Sequence, residues 1–309
     1  MLEKVDLTKK ISKEEYKAKM PQMEIELGRL QRECRELKIP VMIVFEGFGA
    51  SGKGVQIGKL IQSMDPRGFQ VFPIKAETED ERMHPFLWRF WTKTPEAGRI
   101  AIFDGSWYRK VLIDRFEKRT REKEIETAFH SIEAFEKQLT DGGTILVKLL
   151  LDIDQKEQKK RFEKLLEKKE TAWRVSQGDR ERNAKYSEYA AMMEEVLYRS
   201  DTKSAPWTVI EATDRRFATV KIYMTVIHAL AEAVEAVQRR RMEEQAIKVA
   251  EQVSGQQEAA EIMRQAGGEL EMLQSSVLSR ADLTLAYGKE EYEKRLKKLQ
   301  KKIEKLHGE

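Results

Sequence analysis

The sequence predicts an α/β fold in which helices cover both faces of a parallel β-sheet. Short apolar runs are typical of buried strands, and amphipathic helical stretches alternate with them along the chain. Hydrophobic residues make up 40% of the 309 residues, which is enough for a sizeable core. Strands that are apolar throughout belong to parallel sheets buried on both faces.

The elements follow one another in a simple order. An amphipathic helix is predicted first, over residues 13–38, because apolar side chains recur on one side among charges. Five strands are predicted, at 40–47, 70–76, 99–104, 144–152 and 206–212. Helices are predicted between them, at about 53–64, 84–93, 106–118, 124–140 and 154–168. A last helix, from Asp214 to about residue 264, begins apolar and becomes polar, so its later part should leave the core.

The connection between the fourth and fifth strands is too long for a simple crossover. Its second half is highly charged and carries Trp173, Tyr186 and Tyr189. We therefore expect it to project from the sheet, with residues of about 165–200 forming a helical lid.

Composition excludes several classes of protein. The 57 Lys and Arg nearly balance 53 Asp and Glu, giving a net charge of +4, so no nucleic-acid partner is expected. The single cysteine, Cys34, excludes a disulfide framework and a cysteine zinc site. The N-terminus is too polar for a signal peptide, and no apolar run approaches the length of a membrane helix. A cytoplasmic protein without a membrane partner is therefore expected.

A glycine-rich loop directly follows the first predicted strand. Residues 47–54 read GFGASGKG, which matches the phosphate-binding pattern GxxxxGK without its usual final Ser or Thr. Backbone N–H groups of such a loop surround a phosphate, and the next helix adds its positive N-terminus. We therefore expect Gly47, Gly52, Lys53 and Gly54 to bind phosphate. The alternative, a glycine-rich turn without a ligand, fits the strand and helix context less well.

Gly54 has no hydroxyl for Mg²⁺, so the metal must be held elsewhere or poorly. Asp104 ends the third strand, where a magnesium ligand is expected, although it could instead cap the helix that begins at Ser106. Arg109 and Arg115 flank that helix and could face a polyanion.

Further arginines are candidates for binding a polyanion. Arg82 and Arg89 are seven residues apart and share a helix face. The predicted lid carries Arg174, Arg180 and Arg182, which could close over phosphates or could simply be solvated. Nothing suggests covalent hydrolysis, whereas phosphoryl transfer needs mainly positioning and positive charge.

The chain also repeats itself. Residues 5–33 share DLT and KEEY blocks, in register and with the same apolar stripe, with residues 281–309. Chance similarity of two Lys/Glu-rich helices is the weaker explanation. We expect a second copy of the domain to begin near residue 277 and to be truncated at the end of this chain.

Taken together, the motifs resemble the polyphosphate kinase 2 family over residues 1 to about 235. They are FEGFGASGKG, DPRGFQV, AETEDE with PFLWRFW, IAIFDGSWYRKVL and SAPWTVIEATDRR. The repeat resembles the tandem subgroup of polyphosphate:AMP phosphotransferases, which fuse two such domains. The predicted organisation is a P-loop domain at 1–235, a helical connector at 236–276 and the start of a second repeat at 277–309.

The resemblance implies a P-loop NTPase-like fold with a helical lid. It also implies phosphoryl transfer from inorganic polyphosphate to AMP, giving ADP, with Mg²⁺. Lys53, Asp104 and Arg109 would be catalytic, Asp104 would hold the metal, and Arg174 would face the phosphate chain with Arg109. The arginines that would bind polyphosphate or nucleotide are Arg82, Arg89, Arg115 and Arg174. A nucleoside monophosphate or diphosphate is the expected acceptor.

Two positions depart from the family pattern. Gly49 stands where active members carry an aspartate, and Gly105 stands where they carry an arginine. Loss of preorganised charge lowers rates strongly. A second hypothesis is therefore a degenerate first domain that binds phosphate or assembles with an active second domain. An ATP-dependent nucleoside monophosphate kinase is a third, which Gly54 and FDGSWY disfavour. A homo-oligomer, or pairing with a second kinase-like domain, is expected.

Overall fold

The computed structural model of the protein describes residues 2–265 and, further on, Glu291, Lys294, Leu296 and Lys297. Residues 1–246 form one compact unit and residues 247–309 a second. The predicted P-loop domain, 1–235, lies within the first unit. The predicted connector, 236–276, is helical as far as Gln265. The predicted second repeat, 277–309, lies outside the described residues apart from those four positions.

The first unit contains a parallel five-stranded sheet, which confirms the predicted fold class. Its strands are β1 (Val41–Gly47), β2 (Phe69–Pro73), β3 (Ile100–Asp104), β4 (Ile145–Asp152) and β5 (Trp207–Glu211), in the spatial order β2-β3-β1-β4-β5. Phe45 pairs with Asp104, and Gly47 pairs with Leu151. The carboxyl ends of β1, β3 and β4 therefore meet at one edge of the sheet.

Helices connect these strands. They are α1 (Lys13–Leu37), α2 (Lys53–Gln62), α3 (Glu79–Arg82), α4 (Trp88–Trp91), α5 (Ile113–Phe116), α6 (Glu122–Asp141), α7 (Gln155–Leu166), α8 (Lys169–Ala172), α9 (Gln177–Ala184), α10 (Tyr186–Ser200) and α11 (Arg215–Gln265), with 3-10 turns at Leu2–Lys4, Pro66–Gly68 and Trp107–Lys110. Ser12 begins α1 with a reciprocal capping box to Glu15, a local signal that fixes the start of this helix.

Two predicted helices are shorter or divided in the structure. The helix expected at 84–93 is reduced to α4, and the separate helix α3 ends at Arg82, before the expected start. Pro85 lacks an N–H group and keeps the residue before it out of a helical conformation, so no helix runs through residues 84–87. The helix expected at 106–118 is a 3-10 turn followed by α5. That turn places Trp107 and Tyr108 fully inside the core.

The expectation that the whole second half of the β4–β5 connection projects from the sheet is wrong for α10. Tyr189, Met193 and Leu197 of this helix are each at most 4% exposed and belong to the central hydrophobic core. They follow a spacing of four residues, so one face of α10 packs inward. Trp173, by contrast, is 76% exposed, so only the part of the predicted lid before α10 is peripheral.

Helix α11 begins against the core and continues beyond it, as its hydropathy pattern predicts. Tyr223, Val226 and Leu230 are buried, whereas residues 238–248 are exposed. The segment Arg215–Lys248 has the length and hydropathy of a membrane span, contrary to the sequence-based expectation. Half of its most apolar window is buried within the protein, as it is in core helices of soluble proteins, so this is weak evidence for a membrane span.

Candidate active site

The glycine-rich loop joins β1 to α2 at the carboxyl edge of the sheet. Gly47 has a φ of 139°, and a Cβ atom there would lie 2.3 Å from the carbonyl oxygen of Leu151 in the adjacent strand. Only glycine fits so close an approach. Gly52 has a φ of 104° and precedes α2 without a side-chain cap. The first N–H groups of α2 are therefore open to an anion.

Lys53 is the first residue of α2 and bends back over the loop. Its ammonium group donates hydrogen bonds to the carbonyl oxygens of Gly47, at 2.9 Å, and of Phe48, at 3.4 Å. This arrangement holds a positive charge beside the loop on a flexible side chain. A phosphate bound in the loop offers that charge stronger, ionic acceptors.

Asp104 faces the start of the same helix from the end of β3. A Cβ atom on Gly54 would lie 3.9 Å from Oδ2 of Asp104. The carboxylate thus stands beside the position where other phosphate loops carry a metal-binding hydroxyl. Mg²⁺ is usually held by one or two carboxylates together with substrate phosphates and water. Asp104 fits that role, and residues 2–265 contain no cluster of three potential metal ligands that would compete with it.

Glu46 lies beneath the loop and was not identified from the sequence. It is 6% exposed, and its Oε1 accepts a 2.7 Å hydrogen bond from the hydroxyl of Ser106. Burial raises the pKa of Glu46, while the hydrogen bond from Ser106 and the charge of Lys53 oppose the rise. The Ser106 hydroxyl also accepts the N–H of Tyr108. It therefore links the strand before the loop to the turn that follows Asp104.

Two buried hydroxyl groups near the loop lack partners. Ser51 Oγ and Thr213 Oγ1 are inaccessible to solvent and make no hydrogen bond to any part of the chain that the structure describes. Buried polar groups are nearly always paired, so unpaired ones mark positions where a ligand or water can bind. Ser51 belongs to the loop motif, whereas nothing in the sequence pattern singles out Thr213.

Helix α9, which belongs to the predicted lid, lies against Gly49. A Cβ atom at this position would lie 3.0 Å from Oδ1 of Asp179 in α9 and 3.1 Å from Phe162 in α7. Asp179 pairs with Arg182 at 2.7 Å, and Arg182 pairs at the same distance with Glu117, at the end of α5. A chain of ion pairs therefore docks α9 over the phosphate loop. Arg182 takes part in this docking, and Arg180 is exposed.

An open cleft of about 620 Å³ lies beside the carboxyl end of β2. Its lining carries three cationic side chains, Arg82, Lys110 and Arg119, and two carboxylates, Glu77 and Asp114. Asp114 pairs with Arg119 at 2.6 Å and lies 3.3 Å from Nε of Arg109. Arg82 and Arg109 are thus both placed at or next to a cleft suited to an anionic ligand.

The other predicted arginines are not part of this lining. Arg89 is buried, with its Nε 3.2 Å from Glu81. Arg115 pairs with Glu195 at 2.6 Å and more loosely with Glu122. Arg174 is exposed and lies over the ring of Trp173. Their assignment to polyphosphate or nucleotide binding therefore remains a prediction.

The strand order, the loop and the open helix N-terminus define a P-loop NTPase-like domain. Comparison with known proteins narrows this class. The family model of Polyphosphate kinase 2 matches residues 10–241, so the chain belongs to that family.

Similar proteins are named polyphosphate:AMP phosphotransferases. One from Pseudomonas syringae pv. tomato is 36% identical over 233 residues, which cover 75% of this chain and 47% of the relative. One from Pseudomonas aeruginosa is 35% identical with the same coverage. This chain therefore spans about half the length of these curated relatives.

Solved structures agree with the fold. The crystal structure of a putative polyphosphate kinase 2 from Pseudomonas aeruginosa PA01 matches with a TM-score of 0.73 and 35% identity, over 76% of this chain and 50% of that one. Polyphosphate Kinase 2 from Arthrobacter aurescens TC1 matches with a TM-score of 0.71 and 30% identity, over 75% of this chain and 85% of that one.

Proposed function

We propose that this chain is a phosphotransferase domain that moves the terminal phosphoryl group of inorganic polyphosphate to a nucleotide, with AMP as the acceptor and ADP as the product. The observation that carries the proposal is that Lys53 bends back onto the phosphate loop while Asp104 stands beside Gly54, the last residue of the same motif. The names of the relatives support polyphosphate as donor and AMP as acceptor, since relatives from two Pseudomonas species and from Acinetobacter johnsonii are named polyphosphate:AMP phosphotransferases. Other relatives are named for ADP or GDP.

In the proposed reaction, an oxygen of the acceptor phosphate attacks the terminal phosphorus of polyphosphate. The bridging P–O bond breaks, and its electron pair stays on the shortened chain. The loop N–H groups and Lys53 bind the phosphate being transferred, and Arg109 neutralises the neighbouring phosphate charge. Asp104 would hold Mg²⁺, which would neutralise charge on the phosphate oxygens when bound. Asp179 and Arg182 keep the lid over the loop and exclude water.

A second candidate function is a phosphate-binding first half that assembles with a catalytic second half. The uncharged Gly49 and Gly105, at positions where active members carry charges, favour it. Cytoplasmic location and a homo-oligomer, or pairing with another kinase-like domain, also belong to the proposal.

The decisive experiment measures ADP formed from AMP, polyphosphate and Mg²⁺ by the purified chain. We expect Lys53→Ala and Asp104→Asn each to lower the rate at least 100-fold. Lys137→Ala is the matched control, because Lys137 is exposed and pairs only with Asp141. If the unmodified chain makes no ADP but still binds tripolyphosphate, the second candidate is correct. If the unmodified chain neither makes ADP nor binds tripolyphosphate, both candidate functions are wrong.

A further inference from the structure

Helix α7 holds the phosphate loop from outside. The amide nitrogen of Gln158 donates a 3.1 Å hydrogen bond to the carbonyl oxygen of Gly49. The guanidinium of Arg161 donates from Nη1 to the carbonyl oxygens of Ala50 and Ser51, both at 3.1 Å. Three consecutive carbonyl groups of the loop are therefore bound by two side chains one helical turn apart.

Arg161 uses its remaining donors elsewhere. Nη2 donates at 2.9 Å to the carbonyl oxygens of Ala212 and Thr213, which follow β5, and Nε donates at 2.7 Å to Glu157. An arginine has five N–H donors, and these contacts employ all of them. Arg161 is 8% exposed. It therefore has no donor left for a substrate phosphate, and any role in the reaction must pass through the loop.

The orientation of these carbonyl groups decides where the loop N–H groups point. In a planar trans peptide, the C=O of one residue and the N–H of the next point in opposite directions. Holding the carbonyls of Gly49 and Ser51 outward turns the N–H groups of Ala50 and Gly52 inward. Neither N–H bonds to another described residue, whereas the N–H of Ser51 closes a turn onto Phe48.

The loop backbone needs such support. Ala50 has a φ of 56°, a left-handed conformation that costs free energy for a residue with a side chain. The bonds from Gln158 and Arg161 hold it there before any ligand arrives. Donors fixed in advance stabilise phosphate charge without reorganisation at the moment of binding.

We propose that Arg161 and Gln158 are positioning residues that preorganise the phosphate loop by holding its carbonyl groups outward. This inference rests on the proposed binding of phosphate by the loop. The proposal assigns this role to the planar, forked shape of the Arg161 guanidinium as well as to its positive charge.

The experiment compares Arg161→Lys, Arg161→Gln and Gln158→Met in the full chain. Binding of tripolyphosphate with Mg²⁺ is measured by calorimetry, and amide exchange of residues 48–54 is measured by mass spectrometry. Lysine keeps the charge but has three donors and no planar fork, so it cannot bridge four carbonyl groups. We expect Arg161→Lys and Arg161→Gln both to weaken binding at least 10-fold and to speed exchange in the loop. We expect Gln158→Met to weaken binding and to speed loop exchange to a smaller degree.

Arg199→Lys is the matched control. Arg199 pairs with Glu126 and Glu195 on the outside of the core and should tolerate the change. Binding by Arg161→Lys within twofold of the unmodified chain, with unchanged loop exchange, would overturn the proposal in favour of a charge effect. If the unmodified chain binds no tripolyphosphate, the proposed function fails, and the exchange measurement still decides the positioning role. If the Arg161 variants do not fold, Gln158→Met alone tests the positioning role. Unchanged amide exchange of residues 48–54 in Gln158→Met would then contradict the proposal.

Discussion

Lys148 of β4 and Glu136 of α6 form an ion pair of 2.7 Å in the core, where their side chains are 0% and 5% exposed. The indole N–H of Trp107 and the hydroxyl of Tyr108 both donate to Glu136. Lys148 also donates to the carbonyl oxygen of Ser200. Burial lowers the pKa of Lys148 and raises that of Tyr108. The 3-10 turn that carries Arg109, Trp107–Lys110, is therefore tied to a buried charge pair.

Breaking this pair should destabilise the protein strongly. Lys148→Met leaves the Glu136 carboxylate buried without its cation, and such losses cost about 3–5 kcal/mol. The double variant Lys148→Met/Glu136→Gln keeps an oxygen acceptor for Trp107 and Tyr108 and removes both charges. We expect it to recover at least half of the loss, measured as the free energy of unfolding in urea. A double variant no more stable than Lys148→Met would contradict this explanation.

Introducing a carboxylate into the phosphate loop should undock the lid. In Gly49→Asp the new side chain meets Phe162 and the Asp179 carboxylate, and like charges repel at this distance. We expect faster amide exchange in α9 and no gain in phosphotransfer from restoring the family residue alone. Gly49→Ala adds a Cβ atom without a charge, so it measures the steric part of the effect. Gly58→Ala is the control, since a Cβ atom at Gly58 has no neighbour within 4 Å in the part of the chain that the structure describes. Unchanged exchange in Gly49→Asp would show that α9 does not dock here.

The ion pair between Arg182 and Glu117 should set how tightly α9 is held. Arg182 is 9% exposed, so this pair is better shielded than a surface pair. We expect Glu117→Gln to weaken docking by about 1 kcal/mol, seen as roughly fivefold faster exchange of α9. Glu188→Gln, which affects an exposed pair with Lys185, should leave exchange unaltered. Equal changes of α9 exchange in Glu117→Gln and Glu188→Gln would refute a role of the Arg182–Glu117 pair in holding α9.

Asp152 should make part of the stability depend on pH. Burial, together with the charges of Asp154 and Glu211, raises its pKa from 3.8 to about 6. Between those values the folded state keeps a proton that the unfolded chain has lost, so stability falls as pH rises through this window. Asp152→Asn removes the ionisable carboxyl and with it the loss of stability at higher pH. We expect its melting temperature to exceed that of the unmodified chain by a few degrees at pH 7.5 and to match it near pH 4.

For that comparison Asp141→Asn is the control, because Asp141 is exposed and pairs with Lys137. A melting-temperature difference for Asp152→Asn that is the same at both pH values would show that the carboxyl does not titrate in this window.

Local patterns in the sequence were sufficient to predict the sheet and the phosphate loop. Each strand is a short apolar run, and the loop is defined by glycine spacing around Lys53, so neighbours along the chain carry the signal. Two further features were present but overlooked. Pro85 marks the division between α3 and α4, and the spacing of Tyr189, Met193 and Val196 indicates the buried face of α10.

The contacts that organise the site join residues far apart in the sequence. Arg161 is 110 residues from Ser51, and Glu46 is 60 residues from Ser106. Arginine and glutamate are common on charged helices and strand ends, and one sequence carries no record of their distances. The same holds for Arg115, which forms an ion pair with Glu195, a residue 80 positions away.

The stretch between α7 and α10 is held at three places. Helix α7 is bound to the phosphate loop before it, α10 is packed in the core after it, and within it Arg182 pairs with Glu117. The rest of residues 167–185 is mainly exposed. Substitutions that spare Asp179 and Arg182 should therefore be tolerated in this stretch without disturbing the loop carbonyl groups that Gln158 and Arg161 bind.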